Sequence, residues 1–154
     1  MPGAGFYSIH TDKLSFRADG RWYADDEPIL HKKLASLFSR YLRRKAGGGY
    51  EIWIDERYHA DVEVEDTALV VVAVDADPRD DLYIELNDGS TERLDAENLQ
   101  VGRQDVFYCR VKGGSEQARF LRSAYNQLAD RIGQNEAGDF VLRCGGKLNI
   151  IKTT

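Results

Sequence analysis

Three acids share one side of a short alternating run. In Asp61-Val62-Glu63-Val64-Glu65-Asp66 a period of two puts Asp61, Glu63 and Glu65 on one strand face and Val62, Val64 and Asp66 on the other. Like charges in a row repel unless water or cations meet them. One reading is a solvated sheet face. The sharper one brings in Arg119 and Arg122, three apart in a run that reads as helix and so on one side of it. An acid–arginine seam between two halves of the chain would be either a structural clasp or the floor of a polar cleft. Trp22 would form an aromatic wall of that cleft. His31, at the mouth of the first predicted helix, would either receive an anion there or serve as an exposed capping-region residue. The candidate ligand-binding set is therefore Trp22, His31, Glu65, Asp66, Arg119 and Arg122, and the expected ligand is small and polar or anionic.

Other chemistry leaves little trace. His10, His31 and His59 have no short mutual spacing and no carboxylate pattern around them, so no metal site is expected. There is no Gly-x-Ser-x-Gly elbow, no phosphate-cradling Gly-x-x-x-x-Gly-Lys and no dinucleotide fingerprint, so no cofactor is expected and catalysis has no sequence support. A net charge of −5 argues against a general nucleic-acid binder. Lys32, Lys33, Arg40, Arg43, Arg44 and Lys45 make a basic run, read as the solvated back of a core-facing helix rather than as a membrane binder. Tyr50, Trp53 and Tyr58 are residues of interface type whose ordinary role is core packing. The opening Met1–Tyr7 run lacks the basic start and apolar stretch of a signal peptide, and the longest apolar run, Ala68 to Val74, is too short to span a bilayer. Cys109 and Cys144 lie far apart in strand-like runs and read as reduced, buried small hydrophobes. A cytoplasmic location follows from these readings.

The elements that must position the candidates can be read in order. Lys13–Arg17 alternates into Asp19-Gly20, a hairpin turn, and Arg21-Trp22-Tyr23 returns as a strand. From Leu30 the apolar positions Leu34, Leu37, Phe38, Tyr41 and Leu42 predict a helix, with Arg43, Arg44 and Lys45 at its C-terminal end and Gly47-Gly48-Gly49 stopping it. Strands are predicted at 50–54, 61–65, 69–75, 82–86, 106–111 and 140–143. A second helix is predicted from Glu116 to Ile132, on the stripe Ala118, Leu121, Tyr125, Leu128 and Ile132. The halves match in outline. An aromatic strand (Trp22-Tyr23; Phe107-Tyr108) precedes one helix, and a glycine-bearing loop and a second aromatic strand follow (Gly49-Tyr50; Gly138-Asp139-Phe140).

Asp19-Gly20-Arg21-Trp22, Pro28-Ile29, the Leu34…Leu37-Phe38…Leu42 spacing, Val62–Asp66, Ala118–Tyr125 and Gly145-Gly146 together resemble an uncharacterised bacterial family, domain-of-unknown-function family 1285. Where that family has an arginine after Pro-Ile, this chain has His31. The resemblance implies two subdomains of a repeated α/β motif, the second similar to pleckstrin-homology barrels, and it implies no activity.

The expected fold is α+β: two small subdomains from a duplicated strand-helix-strand motif, mostly antiparallel, with one helix per half, covering 8–66 and 67–154. The expected function is a non-enzymatic small-ligand-binding or signalling module with its site at the interface of the halves. The alternatives are a cofactor-independent enzyme using that seam and a protein–protein interaction module. Neither nucleic acid nor membrane is an expected partner.

Overall fold

The computed structural model describes residues 13–153. His10 and the Met1–Tyr7 run lie outside the described residues. The chain divides into two units, one ending at Ala68 and one beginning at Leu69.

The first unit runs β1 (Leu14–Phe16), β2 (Trp22–Ala24), β3 (Glu27–Pro28), α1 (Lys32–Tyr41), β4 (Leu42–Arg44), β5 (Tyr50–Asp55) and β6 (Tyr58–Val64). Its six strands form one sheet in the order β3-β2-β1-β6-β5-β4. Every pairing is antiparallel except β1 with β6, where Leu14, Ser15 and Phe16 stand opposite Val62, Glu63 and Val64. The Asp19-Gly20 turn closes the first hairpin, with Gly20 N–H donating to the Arg17 carbonyl at 2.9 Å. Helix α1 buries Leu34 and Phe38, four apart and hence on one stripe. Phe16, Trp22, Phe38, Ile52 and Val62 are all buried and belong to the core of this unit.

Helix α1 is shorter than its periodicity predicts. It stops at Tyr41, and Leu42 turns straight into extended backbone. Arg43, Arg44 and Lys45 therefore do not finish the helix. Arg43 and Arg44 lie on β4, where Arg43 pairs with Glu51 and Arg44 lies over the Tyr50 ring, while Lys45 follows the strand and reaches Asp61. Pairing with β5 satisfies the backbone and the cations of this segment together, which a last helical turn would not have done.

The second unit runs β7 (Leu69–Ala76), β8 (Leu82–Leu86), β9 (Thr91–Arg93), β10 (Gln100–Val101), β11 (Phe107–Val111), β12 (Glu116–Phe120), α2 (Arg122–Ala129), β13 (Ile132–Gln134), β14 (Phe140–Cys144), β15 (Lys147–Ile150) and β16 (Lys152–Thr153). One sheet has the order β16-β10-β11-β12-β7-β8-β9, and a second has β13-β14-β15. The predicted helix from Glu116 is a correction. Glu116–Phe120 is a strand that buries Ala118 and Phe120 at a period of two, and it pairs with β11 and β7. Only Arg122–Ala129 is helical. Ala118 fits either period, and the hairpin pairing with β11 decided the outcome.

The duplication is visible in the backbone. In each unit a helix leads into a three-stranded antiparallel meander. The paired positions Leu42 and Ile52 recur as Ile132 and Leu142, ninety residues later. The turns inside the meanders match as well. Lys45 N–H donates to Gly49 O and Gly48 N–H to Lys45 O, and Asn135 with Asp139 and Gly138 with Asn135 repeat the same two bonds. Before each helix an aromatic strand pairs with the strand that precedes it, Phe16 opposite Trp22 and Val101 opposite Phe107. That preceding strand pairs in parallel with the last strand of its unit. The second unit adds β7-β8-β9 along the β12 edge. The fold is α+β, with two α-helices among the described residues. No described helix is long and apolar enough to cross a membrane.

Candidate functional site

Strand β1 sets the geometry of the site. Leu14 and Phe16 point into the first unit's core, where Phe16 lies 5.1 Å from the Trp22 ring, and Trp22 packs edge-on against Phe38 at 5.3 Å. The intervening Ser15 must then face the other side of the sheet. There it stands opposite Tyr23 on β2 and Glu63 on β6. Ser15 is nevertheless only 4% exposed, and its Oγ has no hydrogen-bond partner. A buried hydroxyl without a partner costs about 1–3 kcal/mol, and most buried polar atoms in folded proteins are satisfied.

Ser15 lines a cavity of about 690 Å³ with Lys13, Arg17, Tyr50, Glu63 and Glu65. Most of the charges in its wall are already engaged. Lys13 Nζ lies 3.2 Å from Glu63 and 3.6 Å from Asp26. The hydrogen bond to Glu63, then the charges of Asp26 and Glu63, raise the Lys13 pKa above its ordinary value. Arg17 pairs with Asp26 at 2.5 Å and lies 3.9 Å from the centre of the Tyr23 ring, whose hydroxyl donates to Asp19. Glu65 accepts the Ala18 N–H on Oε1 at 2.7 Å.

The three acids of the alternating run thus find partners within their own unit: Lys45 for Asp61, Lys13 for Glu63 and the Ala18 amide for Glu65. The need for partners was readable from the sequence, but the identity of these partners was not. Arg119 is not on a helix. It lies on β12 opposite Tyr108, and Arg122 is the first residue of α2, so the two do not share a helical side. Trp22 is 1% exposed and donates its indole N–H to Ser39 at 2.9 Å, which makes it a core residue and not a cleft wall. His31 caps α1, its Nδ1 accepting the Leu34 N–H at 3.2 Å, so the ring nitrogen facing the helix is already occupied. Asp66 is exposed just beyond β6. Of the six predicted residues, Glu65 alone lines the Ser15 cavity.

Trp53 stacks on His59 at 4.7 Å with Arg43 over its ring at 4.5 Å, and Tyr50 and Tyr58 carry Arg44 and Arg57 in the same way. Among the described residues no group of His, Cys, Asp and Glu could hold a metal ion.

A second cavity, about 600 Å³, lies in the second unit beside the Gly145-Gly146 turn. Asp81 and Arg93 pair there at 3.0 Å, and Asp95 caps the following 3-10 turn by accepting the Glu97 N–H. Cys144 contributes to the wall; Cys144 and Cys109 are both free and buried. Burial, followed by the charge of Glu92, pushes the Cys109 thiol up to about 12. Among the described residues no buried side-chain nitrogen or oxygen of this second cavity is left without a partner, in contrast to Ser15 in the first.

The missed residues Lys13, Ser15 and Arg17 lay in a strand that was legible. What marks Ser15 is its setting between β2 and β6, and β6 reaches it by a parallel pairing across nearly fifty residues of chain. No local pattern reports that setting.

A duplicated α+β domain of this strand order defines a class of fold. No family model and no curated protein matches the chain. Solved structures do. A DUF1285 family protein from Silicibacter pomeroyi is similar over 98% of this chain and 88% of that one, at a TM-score of 0.66 and 19% identity. A DUF1285 family protein from Shewanella baltica is similar over 76% of this chain and 90% of that one, at 0.57 and 21%. The chain has the DUF1285-type fold that its sequence resemblance implied.

Proposed function

We propose that the protein is a small-ligand-binding or signalling module, working in the cytoplasm, whose site is the Ser15 cavity of the first unit. One observation carries this reading: a serine only 4% exposed, its hydroxyl without a hydrogen-bond partner, in the wall of a cavity that four charged side chains also line. A ligand that supplies a hydrogen bond would recover the cost of burying it. The volume also lies in the range of small-molecule sites.

Binding fits better than catalysis. A serine nucleophile needs a base within reach, and no histidine lines the cavity. Lys13 is the one neighbouring amine in the wall, and its carboxylate partners favour the protonated form. Ser15 is thus equipped to hold a ligand and not to attack one. The two buried free thiols suit a reducing compartment.

Native mass spectrometry of protein purified gently from its own host tests the proposal. The wild type should carry a small molecule that Ser15→Ala, which removes the hydroxyl and adds no heavy atom, no longer retains. Spectra without added mass in both proteins, or with the same added mass in both, would count against the site.

A further inference from the structure

Resting on that reading, we infer that the ligand is a small organic cation, an amine that also carries a hydroxyl or carbonyl group for Ser15. Four charged side chains line the cavity, Lys13, Arg17, Glu63 and Glu65, and they can be followed one by one. On the β1 side, Lys13 is bound by Glu63 and Asp26, and Arg17 by Asp26 and the Tyr23 ring. Arg44 of β4 lies over the ring of Tyr50 and does not line the cavity. On β6, Asp61 has Lys45 and Glu63 has Lys13. Glu65 differs from them all. It takes one backbone N–H on Oε1 and has no cation among the described residues. Among the described residues, the charge of this wall left without a counter-ion is therefore that of Glu65.

Ser15 and Glu65 are placed to act together. Ser15 stands opposite Glu63 in the parallel pairing, and Glu65 follows two residues on, just past the end of β6, its N–H donating to the Phe16 carbonyl at 3.0 Å. Strand geometry sets the two Cα atoms roughly 8 Å apart. Both residues line the cavity, and a gap of that size between hydroxyl and carboxylate suits an ammonium and an oxygen separated by a short carbon link. An anionic ligand would have to displace Glu63 from Lys13 or Asp26 from Arg17 and would still meet Glu65 at close range. An amine meets a carboxylate with an oxygen to spare.

The test is amide NMR of the whole chain at low ionic strength, titrated in parallel with ethanolamine, glycerol and inorganic phosphate. The Ala18 amide is a built-in reporter, because it donates to Glu65. Ethanolamine should shift the Ala18 and Ser15 amides and saturate on the order of millimolar, as a four-heavy-atom ligand allows. Glu65→Gln keeps an acceptor for Ala18 but removes the charge, and should weaken the response about tenfold. Ser15→Ala should weaken it as well. If glycerol or phosphate moves these amides at lower concentration than ethanolamine, or if Glu65→Gln binds ethanolamine as the wild type does, the cation assignment fails while the cavity stands. If none of the three probes moves the Ser15 amide, the cavity reading falls with it.

Discussion

In the first unit, the face of β6 turned away from the core presents His59, Asp61 and Glu63, and beside it β5 presents Glu51 and Trp53. At the corresponding places of the second unit, by the pairing of β14 with β15 and of β10 with β16, stand Leu148, Ile150, Lys152, Val141 and Arg143. Leu148 and Ile150 are 67% and 59% exposed. The inward positions correspond closely, Val62 in one unit and Ile151 in the other, both buried. One backbone plan thus carries two outer faces, one charged with a cavity beside a buried hydroxyl, the other with apolar residues at three of its five places. The difference teaches that the helix-facing side of the plan fixes the fold, while the opposite side is free to diverge. A candidate site belongs on the side free to diverge.

The largest effects should come from the shared side. Phe38→Ala removes the ring against Trp22, and Leu128→Ala removes a fully buried side chain of α2. Costs of about 3–5 and 2–5 kcal/mol are expected. The two units can be watched separately, since both tryptophans, Trp22 and Trp53, are in the first and both cysteines, Cys109 and Cys144, in the second. Urea unfolding followed by tryptophan fluorescence should register the first substitution, and thiol labelling of the opened chain the second. A negligible cost at either position would mean that the two cores are not built alike.

A smaller and sharper comparison concerns the matched turns. Gly48 and Gly138 hold φ of +101° and +86°, with open space where a Cβ would go. Alanine at either place would meet no neighbour and would pay only for the backbone, about 1–2 kcal/mol. Equal losses of stability in urea would support equivalent turns. A large cost at one and none at the other would break the correspondence.

The sequence reading reached the duplication because it rests on local features. The aromatic strands, the helix stripes and the glycine turns each announce themselves within a few residues, and Tyr50 and Phe140 were correctly matched. It failed where two periods shared the same residues. Ala118-Arg119-Phe120-Leu121 continues a helical stripe as readily as it alternates, and the pairing of β12 with β11 settled the matter from outside the segment. That misreading moved Arg119 onto a helix and with it the proposed arginine pair. The acids were noticed for the right reason, their unmet charge, yet their partners Lys13, Lys45 and Ala18 come from strands and turns far along the chain. Trp22 was overvalued because an aromatic residue in a strand looks the same whether it lines a cleft or fills a core.

Ser15 offers the smallest expected change and the one with the most diagnostic sign. Shortening a buried side chain ordinarily destabilises by lost packing. Ser15→Ala removes a single buried oxygen that has no hydrogen-bond partner, at a residue that lines a cavity. The desolvation cost of the hydroxyl disappears, and the variant should be more stable by about 1 kcal/mol. Gains of this kind mark positions where function is kept at the expense of stability. The measurement is the urea midpoint by tryptophan fluorescence, with the dependence on denaturant unchanged so that the shift reports stability alone. A loss of stability would mean that the hydroxyl has a structural partner in solution, and the contrast between the two outer faces would then reduce to a difference in surface charge.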